Sequence, residues 1–443
     1  MLTLRYVGCC VVLCVIACAA QSTTPAQPGL DLSLEKAIEM AISPKGNTAV
    51  ETARESEHLA HSRYTLARAA LLPNLDGSVA EQNQTVNLRA LGLRSQPGLT
   101  LTFPEEVGPF YTFDARLKLN QNVLDLSSIR RWQAAHEDMN VAEAETESVR
   151  ERVAGTVARL YAVALRAQTE VEAAQSNVEL AQAHRDLAAN RTSVGEGTDL
   201  EVTRAKLNVA RGQQRLLAAE TERIRANLDL ISTLNLDWNT SLRLTGKLGS
   251  EPTQTFTPDE AVAVALRSRA DFKVEDRRTE SARLGYSAAK LERLPSIVGY
   301  VDYGVLSGVQ THTAGAALRV PLFDGGRLES DRAQNLSLMH QEEIRRKELT
   351  SRVELQVRQA LATLRSADLQ VQVAEQAVAL AEDELGHARR RYEAGVTNSL
   401  EVIDAQNQLE TARSDQVSAL FNRATARIDL AQAMGTIMKI SFD

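Results

Sequence analysis

His58 and His61 are the first residues in this chain whose type and spacing could do chemistry. Three positions apart on a helix, they share a face and could touch one metal ion. No third ligand accompanies them in sequence, and a pair without one is usually solvated surface. His136, His184, His312, His340 and His387 are scattered. The acidic run Glu382-Asp383-Glu384 could attract cations; as a solvated helix face it would do nothing further. There is no phosphate-binding glycine loop, nucleophile elbow or metalloprotease helix. The chain therefore reads as a non-enzyme, with no catalytic residue, metal or cofactor to assign.

The elements around these residues carry more information. From Arg327 to Gly395 there is no proline, and no glycine before Gly386. Val353, Val357, Ala360, Leu364, Ala367, Val371, Ala374, Val378, Ala381, Leu385 and Ala388 recur at alternating steps of four and three. That is a coiled-coil seam of small and aliphatic side chains. The rod it predicts is roughly 100 Å long, so its partners must be other long helices. Asp383 lies opposite Ala381 and Leu385 on this helix, outside the seam contact.

The seam occurs twice. At a constant offset of 200 positions stand Val153, Val157, Leu160, Ala164, Ala167, Val171, Ala174, Val178, Ala181, Arg185 and Ala188. Only Arg185 breaks it. Each seam runs into a glycine turn, Val194-Gly195-Glu196-Gly197-Thr198-Asp199-Leu200-Glu201-Val202 and Ala394-Gly395-Val396-Thr397-Asn398-Ser399-Leu400-Glu401-Val402. This is an internal duplication of a long helical hairpin.

Each half places a period-two segment before its long helix. Phe113 to Val123 sets Phe113, Ala115, Leu117 and Leu119 against Asp114, Arg116, Lys118 and Asn120. A weaker mate spans about 76–86. Strands are predicted again at 297–305 and 313–322. The first repeat thus covers 31–236, with its long hairpin at 126–236. A Ser/Thr/Gly-rich connector covers 237–256. The second repeat covers 257–435, with its long hairpin at 325–435, and 436–443 is a short tail. Thr257-Pro258-Asp259-Glu260 is a capping box, and one helix is predicted from there to Leu294.

Four strands cannot close a barrel, since roughly eight is the smallest useful number. A half-buried soluble hairpin would show the same alternation. The long helices beside the hairpins favour a membrane wall shared by several identical chains. Residues 1–20 read as an export signal, Arg5 followed by an apolar run from Val7 to Ala20 that is too short to span a bilayer. Val15-Ile16-Ala17-Cys18 resembles a lipobox, with Cys18 as the lipidation site; ordinary cleavage after Ala19 or Ala20 is the alternative. All four cysteines precede Ala19, so no disulfide framework follows. Only 4% of residues are aromatic, and a net charge of −7 argues against a nucleic-acid binder.

Taken in order, the paired Pro73-Asn74-Leu75 and Pro295-Ser296-Ile297, the run Val320-Pro321-Leu322-Phe323-Asp324-Gly325-Gly326 and the two glycine turns resemble the outer-membrane efflux proteins, the TolC-like channels. The resemblance covers about 32–435. It implies an α+β membrane protein: a homotrimer with a twelve-stranded outer-membrane β-barrel continued by a periplasmic α-helical barrel. It implies an exit channel for a tripartite efflux pump or type I secretion system, partnered by a membrane-fusion adaptor and an inner-membrane transporter. Carried over by position, Val194, Gly195, Thr198, Leu200, Gly395, Asn398 and Leu400 are the adaptor-docking tips. Asp383 and Glu384 would form an acidic ring in the lumen. The first half departs from the pattern by lacking the glycine pair of Gly325-Gly326. A soluble periplasmic coiled-coil scaffold or adaptor stays open as the alternative.

Overall fold

The computed structural model describes residues 30–92, 104–249 and 256–440. The export signal and Cys18 lie outside the described residues. The first half comprises β1 (Leu30–Leu32), α1 (Leu34–Ile42), α2 (Thr48–Ala69), β2 (Asn74–Asn87), β3 (Glu106–Leu124), α3 (Leu126–Ser193) and α4 (Asp199–Thr233). The second comprises β4 (Leu242–Leu244), α5 (Pro258–Ser268), α6 (Ala270–Leu291), β5 (Ser296–Leu306), β6 (Val309–Arg319), α7 (Arg327–Glu393) and α8 (Ser399–Ala433). A 3-10 turn at Ile437–Lys439 follows.

Several local features differ from the sequence reading, among them β3, which begins at Glu106 rather than Phe113. The connector carries β4, which pairs in parallel with β1 through Leu30↔Leu242 and Leu32↔Leu244; strands of three residues are too short to show a period. The helix expected to run from Thr257 to Leu294 breaks at Arg269, whose ψ of 129° is extended. No glycine or proline marks that break. Instead the Arg269 guanidinium holds Asp271 at 2.6 Å and the Ala433 carbonyl at 3.1 Å. The last strand stops at Arg319, short of 322, where Pro321 has no N–H for a ladder.

The four-stranded sheet is antiparallel in the order β2-β3-β5-β6. Its register puts Leu75, Leu119, Val301 and Ala314 in one row, and Gly77, Leu117, Tyr303 and His312 in the next on the same face. The opposite face carries Asp76, Lys118, Asp302 and Thr313. There Arg116 bridges Asp114 at 2.6 Å and Asp302 at 3.5 Å. Large apolar side chains on the first face, Leu75, Val79, Leu117 and Tyr303 among them, stand exposed. Among the described residues, one edge of β2 and one edge of β6 have no partner strand.

Below the sheet, α3 packs on α4 and α8, and α8 packs on α7, which gives the lateral order α4-α3-α8-α7. The α7 seam is buried at every predicted position except Val378, which is half-buried against the same core. In α3 the seam is buried at Val153, Val157, Ala164, Ala167, Val178, Ala181 and Ala188, whereas Leu160, Val171, Ala174 and Arg185 are half-buried. Alanine and valine let the backbones approach closely over this length, so each helix is held by many small contacts rather than a few large ones.

A belt of short elements wraps the middle of these helices. Leu32, Leu34, Ile38, Leu230, Ile428 and Ile437 form one buried cluster with Tyr161. The Tyr161 hydroxyl donates to the Leu32 carbonyl at 2.9 Å and accepts from the Gly246 N–H at 3.1 Å. It thereby ties both β1 and the segment after β4 to α3. Among the described residues no helix is long and apolar enough to cross a membrane.

Candidate functional site at the helical turns

The two glycine turns end the long helices in the same way. Gly195 has φ of +82° and Gly395 of +73°. In each, the next residue's N–H reaches back five positions: Glu196 to the Arg191 carbonyl and Val396 to the Arg391 carbonyl, at 2.9 and 3.0 Å. The glycine N–H meanwhile bonds three positions back, to Thr192 and Tyr392. This is a Schellman closure, and it requires a left-handed residue that glycine supplies without strain. The returning helices start on side-chain caps. Thr198 and Glu201 form a reciprocal capping box, and the Asn398 side chain accepts from the Leu400 N–H.

The position-transferred tip residues thus have distinct local roles. Gly195 and Gly395 reverse the chain, and Thr198 and Asn398 start the helices. Val194, Leu200 and Leu400 are apolar yet exposed, with Val194 at 71%. No other atom lies within 4 Å of a Cβ built on Gly195. The backbone there is open to approach.

Behind the turns lies a cluster that sequence reasoning passed over. His184, grouped with the scattered histidines, is 3% exposed. Its Nε2 lies 3.0 Å from the Ser399 Oγ, and its ring centroid lies 5.4 Å from that of Tyr392. Arg191 stacks over the Tyr392 ring at 4.7 Å and donates to the Tyr392 carbonyl. The Tyr392 hydroxyl reaches Glu201 at 3.5 Å. Burial, reinforced by Arg389 and opposed by Glu201, lowers the His184 pKa from 6.5 to about 4. Burial and then Glu201 push the Tyr392 hydroxyl up, against Arg191. These contacts join α3 and α4 to α7 and α8, so the two turns stand at one level. The available signal was positional: His184 directly precedes the seam break at Arg185, where a buried polar contact replaces apolar packing.

The other candidates remain apart. His58 and His61 are exposed on α2, and among the described residues no group of three or more His, Cys, Asp or Glu could hold a metal ion. Asp383 and Glu384 are exposed, while Glu382 pairs with Arg413 at 3.0 Å. What the turns present is exposed apolar surface at Val194, Leu200 and Leu400 beside accessible backbone at Gly195.

Comparison with known proteins agrees with that architecture. No curated protein sequence matches the chain. The fold is similar to the outer membrane protein VceC of Vibrio cholerae, at 20% identity and a TM-score of 0.74, covering 91% of this chain and 96% of that one. It is similar to the CmeC outer membrane channel of Campylobacter jejuni, at 17% identity and a TM-score of 0.75, covering 91% and 85%. The open-state MtrE outer membrane channel of Neisseria gonorrhoeae gives 18% identity and a TM-score of 0.74, covering 93% and 91%. The outer membrane efflux protein family model matches residues 45–236 and 261–436, most of both repeats. The chain belongs to the outer membrane efflux protein family.

Proposed function

We propose that this protein is the outer-membrane exit channel of a tripartite efflux pump or type I secretion system, passively conducting substrates delivered by an inner-membrane transporter and a periplasmic adaptor. The observation that carries the reading is the open sheet β2-β3-β5-β6, which among the described residues has one exposed apolar face and two unpaired edges above a bundle of long helices. In hydrocarbon each unpaired backbone group costs several kcal/mol, of the order of ~4. Such a sheet is tenable in a bilayer only when further copies pair its edges, and three copies give the twelve-stranded ring of the family. The charged face of the sheet then lines the lumen.

Docking of the adaptor falls to the turns, at Val194, Gly195, Thr198, Leu200, Gly395, Asn398 and Leu400. Their support is exposed apolar surface beside accessible backbone, at the end remote from the sheet. Lipidation at Cys18 would add a membrane anchor, and Cys18→Ser would then remove the acyl mass from the mature N-terminus. The deciding experiment for the channel is native mass measurement of the detergent-extracted protein with fractionation of the cell envelope. A trimer in the outer-membrane fraction is expected; a stable monomer with full β content, or a freely soluble periplasmic protein, would overturn the reading.

A further inference from the structure

The two flanking helices each carry a second heptad stripe that none of the described residues covers. On α4, every residue at alternating steps of three and four from Leu200 to Leu228 is exposed, including Leu207, Leu217 and Ile224. On α7 the same holds from Leu355 to Asp383, including Leu369, Val373 and Leu380. Both stripes point away from the helices packed against their own chain, since α4 buries Ala205, Val209 and Ala226 and α7 buries Val357, Leu364 and Val371. The two stripes also run in opposite directions and are equally long.

Charge distinguishes their lower ends. Between Val202 and Ala219, α4 carries only positive charge: Arg204, Lys206, Arg211 and Arg215. Arg215 pairs with Glu410 of its own chain; the other three have no ion-pair partner among the described residues and border the α4 stripe. On α7, Asp383 closes the stripe and Glu384 borders it, and neither has an ion-pair partner among the described residues. Heights above the turns follow from the helical rise. Arg204, Lys206 and Arg211 stand about 8–18 Å above the start of α4, and Asp383 and Glu384 about 14–15 Å above the end of α7. The two turns share one level through the Arg191–Tyr392 contact.

Rotation about a symmetry axis preserves height, so a closed ring of copies has no freedom to slide these groups apart. Resting on the trimeric channel reading, we propose that α4 of one copy packs along α7 of the next, and that Arg204, Lys206 and Arg211 neutralise Asp383 and Glu384 of that neighbour. The acidic run is then an adhesive between copies near the turns, and its carboxylates are withdrawn from a lumenal ring.

The cysteines all precede Ala19, so engineered pairs report cleanly. Gln214 and Gln376 are exposed stripe residues at nearly the same height. In the exported protein after removal of the signal, Gln214→Cys with Gln376→Cys and a short thiol-to-thiol cross-linker should give covalent dimers and trimers. Adding Asp383→Lys and Glu384→Lys should slow that reaction about threefold to tenfold at low salt, and less at high salt. Introducing Arg204→Glu and Lys206→Glu as well should restore the rate. Native mass is measured on each uncross-linked variant. A trimer that fails to cross-link, or whose rate ignores the charge changes, overturns the seam and leaves the channel reading standing. A monomeric native mass removes both.

Discussion

His184 and Ser399 are 215 positions apart in the chain, yet the imidazole Nε2 and the hydroxyl oxygen lie 3.0 Å apart behind the turns. The contact joins the first repeat's descending helix to the second repeat's ascending one. With a folded pKa of about 4 against an ordinary 6.5, the neutral imidazole is the form that the fold accepts. Between those values the unfolded chain binds more protons, so stability rises with pH in this window and is lost as pH falls from 6.5 towards 4. The full loss is up to about 3 kcal/mol.

Backbone hydrogen exchange near Ser399 and Tyr392 should therefore be faster at pH 5 than at pH 7 after correction for the intrinsic rate. His184→Gln should flatten the difference. Equal protection at the two pH values in the unaltered protein would show that the imidazole does not couple to the local fold.

Much of this was legible because it was repeated. The α7 seam is a periodic signal over many turns, and its copy in α3 made chance agreement untenable. The alternating face of β3 was equally plain, since Leu117 and Lys118 belong to opposite surfaces. What escaped was short or tertiary. The pairing of β1 with β4 joins residues more than two hundred positions apart through three residues each, and no period exists in three residues. Burial of His184 depends on α8 packing against α3, and its only local trace is the neighbouring seam break at Arg185. The α4 and α7 stripes were present in the sequence but weaker than the inner seams, because Thr203, Gln214 and Thr221 interrupt the first and Gln359, Ser366 and Gln376 the second.

The turn glycines yield a second prediction. A valine at Gly395 must adopt φ of +73° or break the Schellman closure, a strain of about 1–3 kcal/mol. That is too small to undo the sheet or the seams. Gly395→Val with Gly195→Val should lower export and adaptor capture while trimer yield holds. Unchanged export and capture would remove the docking assignment, and loss of the trimer would make the turns structural.

Tyr161 offers a test of the belt. Tyr161→Phe retains the buried ring but leaves the Gly246 N–H without its acceptor at a partly buried site. The expected cost is about 1–3 kcal/mol, and it should be local. Hydrogen exchange across 242–246 should accelerate while that of α7 is unchanged. Protection that stays at the original level would mean that another acceptor already serves Gly246.

The junctions between sheet and long helices should differ in strength between the repeats. Asp125 caps α3, and its carboxylate accepts from the Ser127 and Ser128 N–H groups at 3.0 and 3.2 Å and from their hydroxyls at 2.7 and 2.6 Å. Both serines are buried, so each donor would lose its partner without recovering water. Asp324, at the matching place before α7, accepts from the Leu328 and Gly326 N–H groups at 2.8 and 3.2 Å, beside two left-handed glycines. An ordinary cap is worth about 1 kcal/mol. Asp324→Ala should cost about that much, and Asp125→Ala about twice as much. Asp125→Asn should fall between them, because an amide offers one accepting oxygen and not two. The measurement is the temperature at which the assembled protein dissociates in mild detergent, compared across the three variants. If Asp125→Ala is no more harmful than Asp324→Ala, the serine pair does not depend on the carboxylate, and the first repeat's lack of a glycine pair needs another explanation.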